Sequence, residues 1–318
     1  MIDGYAHLGL PRFWAVEDYR RIMELVGIRR AMVCPFDSCP DIAECHRALL
    51  ADPAAFRAYG LVLGRDRREM EAGLLAQLEA GFDGFRLGDA KIAAHPWILD
   101  VLGREEAVPM VVGARGLAAA APMLVAFLER YPRAVAVSAH FAGPTDPDVL
   151  RQPGPVRALF AHPRFLVVMS RQGMFPAPAI KTWAEALIDV VGWSRLMWGS
   201  EAPVPIWRDE KLALTPAWID QFAPDPAQRA AFFSGNGERA VFDRPARPVR
   251  PLTLPFDPWD HEVKIAAPMF PYGLSADTRI PARLVQAWLA AGGETVMPLS
   301  AFLSAVLDKA LPPARRGG

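Results

Sequence analysis

Tyr5, His7, Arg86, Arg115, His140, Arg171 and Glu201 all stand at or close to the ends of short apolar runs, and all carry side chains able to move a proton or hold an anion. An imidazole exchanges its proton near neutral pH, so His140 reads as a general acid or base, with the Glu201 carboxylate orienting it or trading protons with it. The Tyr5 phenol can donate a hydrogen bond to a developing oxyanion; the plainer reading is a core tyrosine with a satisfied hydroxyl. Guanidinium forks pair bidentately with carboxylates, which makes Arg86, Arg115 and Arg171 candidate anchors for an acidic substrate, Arg86 foremost. Each arginine has an alternative, an ion pair with a neighbouring Asp3, Asp89 or Glu201. Cys34 ends a further run, where a thiolate near His7 or His140 would be a nucleophile and a buried, inert thiol is the commoner outcome.

What must position these groups is an alternation of short strands with amphipathic helices over the first 242 residues. Strand-like runs occur at Met1–Tyr5, Arg30–Cys34, Ala58–Leu63, Gly84–Leu87, Pro109–Val112, Ala134–Ala139, Phe165–Ser170 and Leu196–Trp198. Between them, Val16–Val26, Arg68–Ala80, Ala118–Tyr131 and Ala179–Val191 repeat apolar residues at three and four; Tyr19, Ile22, Met23 and Val26 share one face. Eight strand–helix repeats predict a (β/α)8 TIM barrel over residues 1–242, whose chemistry sits at the C-terminal strand ends. Residues 243–318 form a C-terminal extension. Prolines crowd Asp243 to Met269 and predict an extended wrapping arm, followed by a helical hairpin over Pro281–Ala291 and Pro298–Leu311 with Gly292 and Gly293 between. The hairpin's apolar face (Leu284, Trp288, Phe302, Leu307) must be buried on the barrel side, over the mouth or against a second copy; a homodimer is the favoured expectation.

Composition narrows the class of function. Lys+Arg and Asp+Glu both number 35, so the net charge is zero and no basic tract invites nucleic acid or an anionic membrane. The longest mostly apolar stretch, Gly116 to Leu128, is too short to span a bilayer. The first residues lack the basic and apolar regions of a signal peptide, so a cytoplasmic location is expected. Cys34, Cys39 and Cys45 are an odd number and fit a reducing compartment; their spacing with His46 lacks a structural zinc knuckle. His46, His95 and His162 read as surface or capping residues.

Four segments in barrel order carry a family resemblance: Ile2-Asp3-Gly4-Tyr5-Ala6-His7-Leu8, Val137-Ser138-Ala139-His140-Phe141-Ala142-Gly143, Gly199-Ser200-Glu201-Ala202-Pro203 and Gly235-Asn236-Gly237-Glu238-Arg239-Ala240-Val241-Phe242. Together they resemble the amidohydrolase family, in its branch of amidohydrolase-2 type decarboxylases and related hydrolases. The resemblance implies a divalent metal held by two first-strand histidines, a fifth-strand histidine and an eighth-strand aspartate. This sequence places Tyr5, Gly113 and Glu201 at three of those positions and retains His7; His140 keeps a position that the family uses for acid/base work. Asp3 is then a structural support. Two missing imidazoles weaken a zinc site, so no resident cofactor is expected; if zinc or another divalent metal is held, His7, His140 and Glu201 are its ligands.

These readings converge on an enzyme with a degenerate metal site that performs metal-independent acid/base chemistry of the lyase type, by decarboxylation, elimination or hydration, or cyclisation, on a small carboxylate-bearing molecule. A metal-dependent hydrolase or decarboxylase with unusual ligands, and a non-catalytic binding scaffold, are the alternatives. They differ in metal content and in whether His140 meets Glu201.

Overall fold

The computed structural model describes residues 1–113, 116–206, 210–260, 262–265, 278–292, 301–303 and 305–306. Eight parallel strands run in sequence order, β1 Ile2–His7, β2 Arg30–Cys34, β3 Phe56–Leu61, β4 Gly84–Gly88, β5 Val108–Val112, β6 Ala136–Ser138, β7 Phe165–Met169 and β8 Leu196–Trp198. Each pairs with the next. The result is the expected (β/α)8 barrel, and the predicted strand bounds are met to within two residues. Around it lie α1 Val16–Val26, α2 Ile42–Ala51, α3 Arg67–Glu79, α4 Asp89–Ala94, α5 Trp97–Arg104, α6 Ala121–Arg130, α7 Pro155–Ala161 and α8 Ala177–Val191. On α1, Val16, Tyr19 and Met23 are buried at helical spacing, and Gly27 closes the helix in the left-handed region.

The seam between first and last strands is closed by the segment after β8. Glu201 N donates to Tyr5 O and His7 N to Ala202 O, both at 2.8 Å. Asp3, fully buried, gathers four donors: Ser200 N at 2.8 Å, Tyr5 N at 3.1 Å, Tyr19 OH at 2.7 Å and the Ser200 hydroxyl. One carboxylate thus ties β1, the β8 exit and α1 together, which bears out its reading as a support.

Inside the barrel, Ile2, Tyr5, Met32, Cys34, Tyr59, Val108, Met110, Val137, Leu166, Val168 and Met197 form a second apolar cluster, closed by Val241 and Phe242. The larger cluster lies between strands and helices. Such layered filling makes the barrel a packed core rather than a pore, with room for chemistry only at one mouth.

From Asp243 the chain runs along the barrel floor and climbs its side. Arg244 donates to the carbonyls of Arg133 at 2.9 Å and Glu106 at 2.6 Å, in loops that precede β6 and β5. Arg250 N donates to Ala80 O at 3.3 Å, and Val249, Leu252, Leu254 and Phe256 pack on the outer core. Phe256 lies over Gly73 of α3, where a Cβ would overlap its ring. His46 is not the surface or capping residue expected of it. It is buried on α2 and its Nε2 donates to Arg250 O at 2.7 Å, because the arm covers the helix face that would otherwise meet water. His162 caps α7 and His95 caps α4, as expected.

Beyond the arm, Glu262–Ile265 pairs antiparallel with Thr278–Pro281, a hairpin the proline pattern does not foretell. Helix α9 is Pro226–Ala230, before the arm, and α10 is Ala282–Ala290, after it. Residues 301–303 and 305–306 are helical within the second expected helix, whose remainder lies outside the described residues, as do Gly293 and His261. Helix α10 buries Ala282, Val285 and Trp288 within this single chain, so that part of the apolar face gives no reason for a dimer. A cleft of ≈ 560 Å³ separates α10 from the loop after β1, lined by Leu10, Pro11, Asp41, Trp259, Arg283 and Gln286. The arm therefore carries α10 from floor to mouth. No described helix is long and apolar enough to cross a membrane.

Two variants test the seam and the arm. Asp3→Ala strands several buried donors and is expected to cost about 3 kcal/mol or more, read by urea unfolding; a loss under about 1 kcal/mol would remove Asp3 from the seam. A chain ending at Asp243 exposes the apolar surface under Val249, Leu252, Leu254 and Phe256, so its unfolding midpoint should fall and its solubility with it. An unchanged midpoint would show that the arm is not a structural strap.

Candidate active site

The strand ends bring Tyr5, His7, His140, Arg171 and Glu201 into one group at the C-terminal mouth, all buried except the half-buried Arg171. Tyr5 stands between two imidazoles, its ring centroid 5.0 Å from that of His7 and 4.8 Å from that of His140, both edge to face. His140 Nε2 lies 3.6 Å from Glu201 Oε1, and Arg171 Nε lies 3.0 Å from the same oxygen, an ion pair off the line of a direct hydrogen bond. Glu201 is 1% exposed and His140 3%. A buried carboxylate needs a cation, and the guanidinium is the nearer of its two neighbours.

The backbone pays for this convergence in conformational strain. His140, Phe141 and Ala142 all take φ of 56–57°, Arg171 takes 70° and Glu201 54°. Residues other than glycine avoid this region at a cost of about 1–2 kcal/mol each, so surrounding bonds must hold them there. They do so here. Ser170 Oγ accepts from His140 N at 3.1 Å, the Trp183 indole donates to Phe141 O at 2.8 Å, and Glu201 N is held by Tyr5 O.

Arg86 lies within β4, which runs to Gly88, and the alternation of the strand turns its buried side chain into the barrel. Its Nε donates to Tyr5 OH at 2.9 Å and its Nη1 to Asp37 at 2.8 Å. The carboxylate partner is therefore Asp37, from the loop after β2, rather than Asp3, Asp89 or Glu201. Among the described residues Nη2 has no partner. Accepting from Arg86 leaves Tyr5 its own hydroxyl proton to donate, and burial pushes the phenol well above its ordinary range, so it stays protonated. Arg115 lies outside the described residues.

His7 Nδ1 donates to Cys34 O at 3.2 Å, which leaves the lone pair on Nε2. Burial, then the charges of Arg86, Arg12 and Arg171, hold its pKa well below the ordinary histidine value, so the ring is neutral near pH 7. The ring stacks on Phe13, centroids 4.7 Å apart, and meets Phe36 edge-on. Cys34 Sγ lies 3.6 Å from His7 Nδ1, but burial raises the thiol pKa to about 12, so it is no nucleophile at neutral pH. Cys39 and Cys45 are likewise buried free thiols.

A metal has poor support from these side chains. His7 Nε2 has the protonation state of a ligand, but its neighbour two residues back is a phenol already engaged with Arg86. At Gly113 a Cβ would overlap the Gly116 carbonyl, which leaves no room for a histidine. A guanidinium, that of Arg171, stands 3.0 Å from Glu201 Oε1. Among the described residues no group of three or more His, Cys, Asp or Glu side chains is arranged to hold a metal ion.

Sequence reasoning missed Ser170, Asp37, Arg12, Phe13 and Phe36. The last four lie in the loops after β1 and β2, where no periodicity marks a side chain's direction. Arg12 lies over both Phe13 and Phe36, and Arg86 lies 4.6 Å from the Phe36 centroid, so guanidiniums and aromatic rings wall the mouth together. Ser170 ends the seventh run and was legible as a strand end, though serine alone carries no chemical signal there.

Comparison with known proteins bears on the fold and the family. An amidohydrolase from Burkholderia multivorans with bound zinc is 19% identical, with a TM-score of 0.57 over 77% of this chain and 99% of that one. The 2,6-dihydroxybenzoate decarboxylase from Rhizobium is 12% identical, with a TM-score of 0.52 over 76% and 98%. Among curated proteins no match is found. The amidohydrolase family model matches residues 18–242, well over half of the chain, beginning just after the segment that holds Tyr5 and His7. By sequence over that span, and by a barrel of the same kind, this chain belongs to the amidohydrolase family.

Proposed function

We propose that the protein is an acid/base enzyme of the lyase type that acts on a small carboxylate-bearing molecule without a catalytic metal. The observation that carries this reading is the contact of Arg171 with Glu201: a fixed guanidinium stands against the carboxylate to which the family's pattern assigns a metal ion. It supplies positive charge at the mouth and needs neither coordination geometry nor a deprotonated ligand set.

Each residue then has a distinct task. Arg86 Nη2 and the Nη edge of Arg171 offer donors to a substrate carboxylate, and a planar fork fixes its orientation. Tyr5, kept protonated and accepting from Arg86, donates to an oxygen on which charge builds up. The two imidazoles flanking Tyr5 divide the proton work. His7 presents a lone pair on Nε2 and can accept a proton, while His140 faces the reacting molecule from the side of Glu201 and can deliver one. Decarboxylation needs only the delivered proton; elimination or hydration uses both rings. Phe13 and Phe36 keep the site dry, which strengthens every charge interaction in it.

The test uses a panel of small aromatic and aliphatic carboxylates that includes 2,6-dihydroxybenzoate, assayed by thermal shift and by deuterium uptake from D2O. His140→Ala and Glu201→Gln are expected to cut kcat by about 10²–10⁴-fold while folding survives. Arg86→Ala should mainly raise KM, by roughly tenfold, because an anchor holds ground and transition states alike. If no carboxylate binds or turns over, the barrel is a binding scaffold.

Metal content gives an independent check. Purified protein is expected to hold well under one equivalent of zinc, manganese or iron, with turnover indifferent to a chelator. Stoichiometric metal, lost together with turnover, would replace this reading with a metal-dependent hydrolase built on His7, His140 and Glu201. Gly113→His should destabilise the fold by about 1–3 kcal/mol without creating a zinc site, since its Cβ has nowhere to go.

A further inference from the structure

Ser170 is fully buried at the end of β7, and both contacts made by its hydroxyl oxygen are to one residue. His140 N donates to Ser170 Oγ at 3.1 Å, and His140 Nδ1 lies 3.0 Å from the same oxygen. The oxygen accepts the backbone proton, so the hydroxyl's own proton must point elsewhere. Nδ1 is the acceptor within reach. If instead Nδ1 carried a proton and donated it to Oγ, the hydroxyl proton would be stranded in a buried place without an acceptor among the described residues.

The opposite side of the ring agrees. Nε2 faces Glu201 Oε1 at 3.6 Å, and a carboxylate oxygen can only accept from a neutral ring's N–H. Hydrogen-bond accounting at Ser170 Oγ thus selects one form of the ring.

We infer that Ser170 is the positioning residue that fixes His140 in its Nε2–H tautomer, so that the resting, neutral ring presents an N–H hydrogen bond on its Nε2 side. The inference specifies which ring nitrogen His140 offers in the function proposed above and rests on that reading for its catalytic meaning. The tautomer itself does not depend on any substrate. Ser170 also anchors the left-handed turn that begins at His140, and a variant must separate the two tasks. Ser170→Thr keeps the hydroxyl; Ser170→Ala removes it.

The experiment is long-range ¹H–¹⁵N correlation on the full chain labelled at histidine, at pH 8, with the His140 signals identified from their loss in His140→Gln. Six histidines keep the spectrum readable. The expected result is a pyridine-type Nδ1 and a pyrrole-type Nε2 in the native protein, retained in Ser170→Thr and lost in Ser170→Ala through growth of the Nδ1–H form. A pyrrole-type Nδ1 in the native protein, two pyrrole-type nitrogens, or an unchanged tautomer in Ser170→Ala would each overturn the inference. The native spectrum decides even if Ser170→Ala does not fold. Where a panel carboxylate turns over, Ser170→Ala should lower kcat at least tenfold with KM within about threefold, and Ser170→Thr should recover most of the rate. Absence of turnover in every variant would count against the enzyme reading while leaving the tautomer measured.

Discussion

The carboxylate of Asp3 is the bond on which the site depends. Four donors converge on it from β1, the β8 exit and α1. Desolvation raises its proton affinity and the donors work against that rise, so the group is held by its hydrogen bonds. Closing the barrel here also places the next residues of the chain: Ser200 is pinned, Glu201 comes directly after it, and the Glu201 N–H reaches Tyr5 O across the seam. Without that closure the residue meant to face His140 would hang from a free strand end. Loop closure between residues 197 apart carries a large entropic cost, so a dense knot of short bonds is the physically sensible place to concentrate stabilisation.

Beyond the seam, charge decides the chemistry. At Gly113 a Cβ would overlap the Gly116 carbonyl, Tyr5 stands two residues before His7, and the Arg171 guanidinium lies against Glu201. Arginine suits that position because it stays charged in a partly buried place and carries donors on two edges, only one of which faces Glu201. The strained residues cluster at the same place, at His140, Arg171 and Glu201. Backbone strain retained against its cost points to a site whose geometry matters more than its stability.

Much of this was legible in the chain. Period-two runs and three-four spacing placed β2 and β8 to the residue and α1 to the residue, because each is short, apolar and cleanly bounded. The convergence of Tyr5, His7, His140 and Glu201 followed from strand order alone. Side-chain direction did not. Arg86 points into the barrel because it alternates with Phe85 and Leu87, which face the helices, and a four-residue run does not say which of its two faces is the inner one. His46 looked exposed because the arm that buries it comes some 200 residues later, and no local pattern on α2 reports a distant covering segment. Asp37 and Ser170 were silent for a related reason: their roles lie in which partner they hold.

The arm has a consequence in time as well as in space. A chain made from its N-terminus completes the β1–β8 seam before the residues of α10 exist, so the barrel's mouth is open when the barrel first forms. The floor contacts of Arg244 and the side contacts of Arg250 and Phe256 then lay down the track that α10 takes to the loop after β1. A helix synthesised after the barrel is thus set beside its entrance, and a nascent chain stalled short of α10 would display the mouth with one wall of its cleft missing.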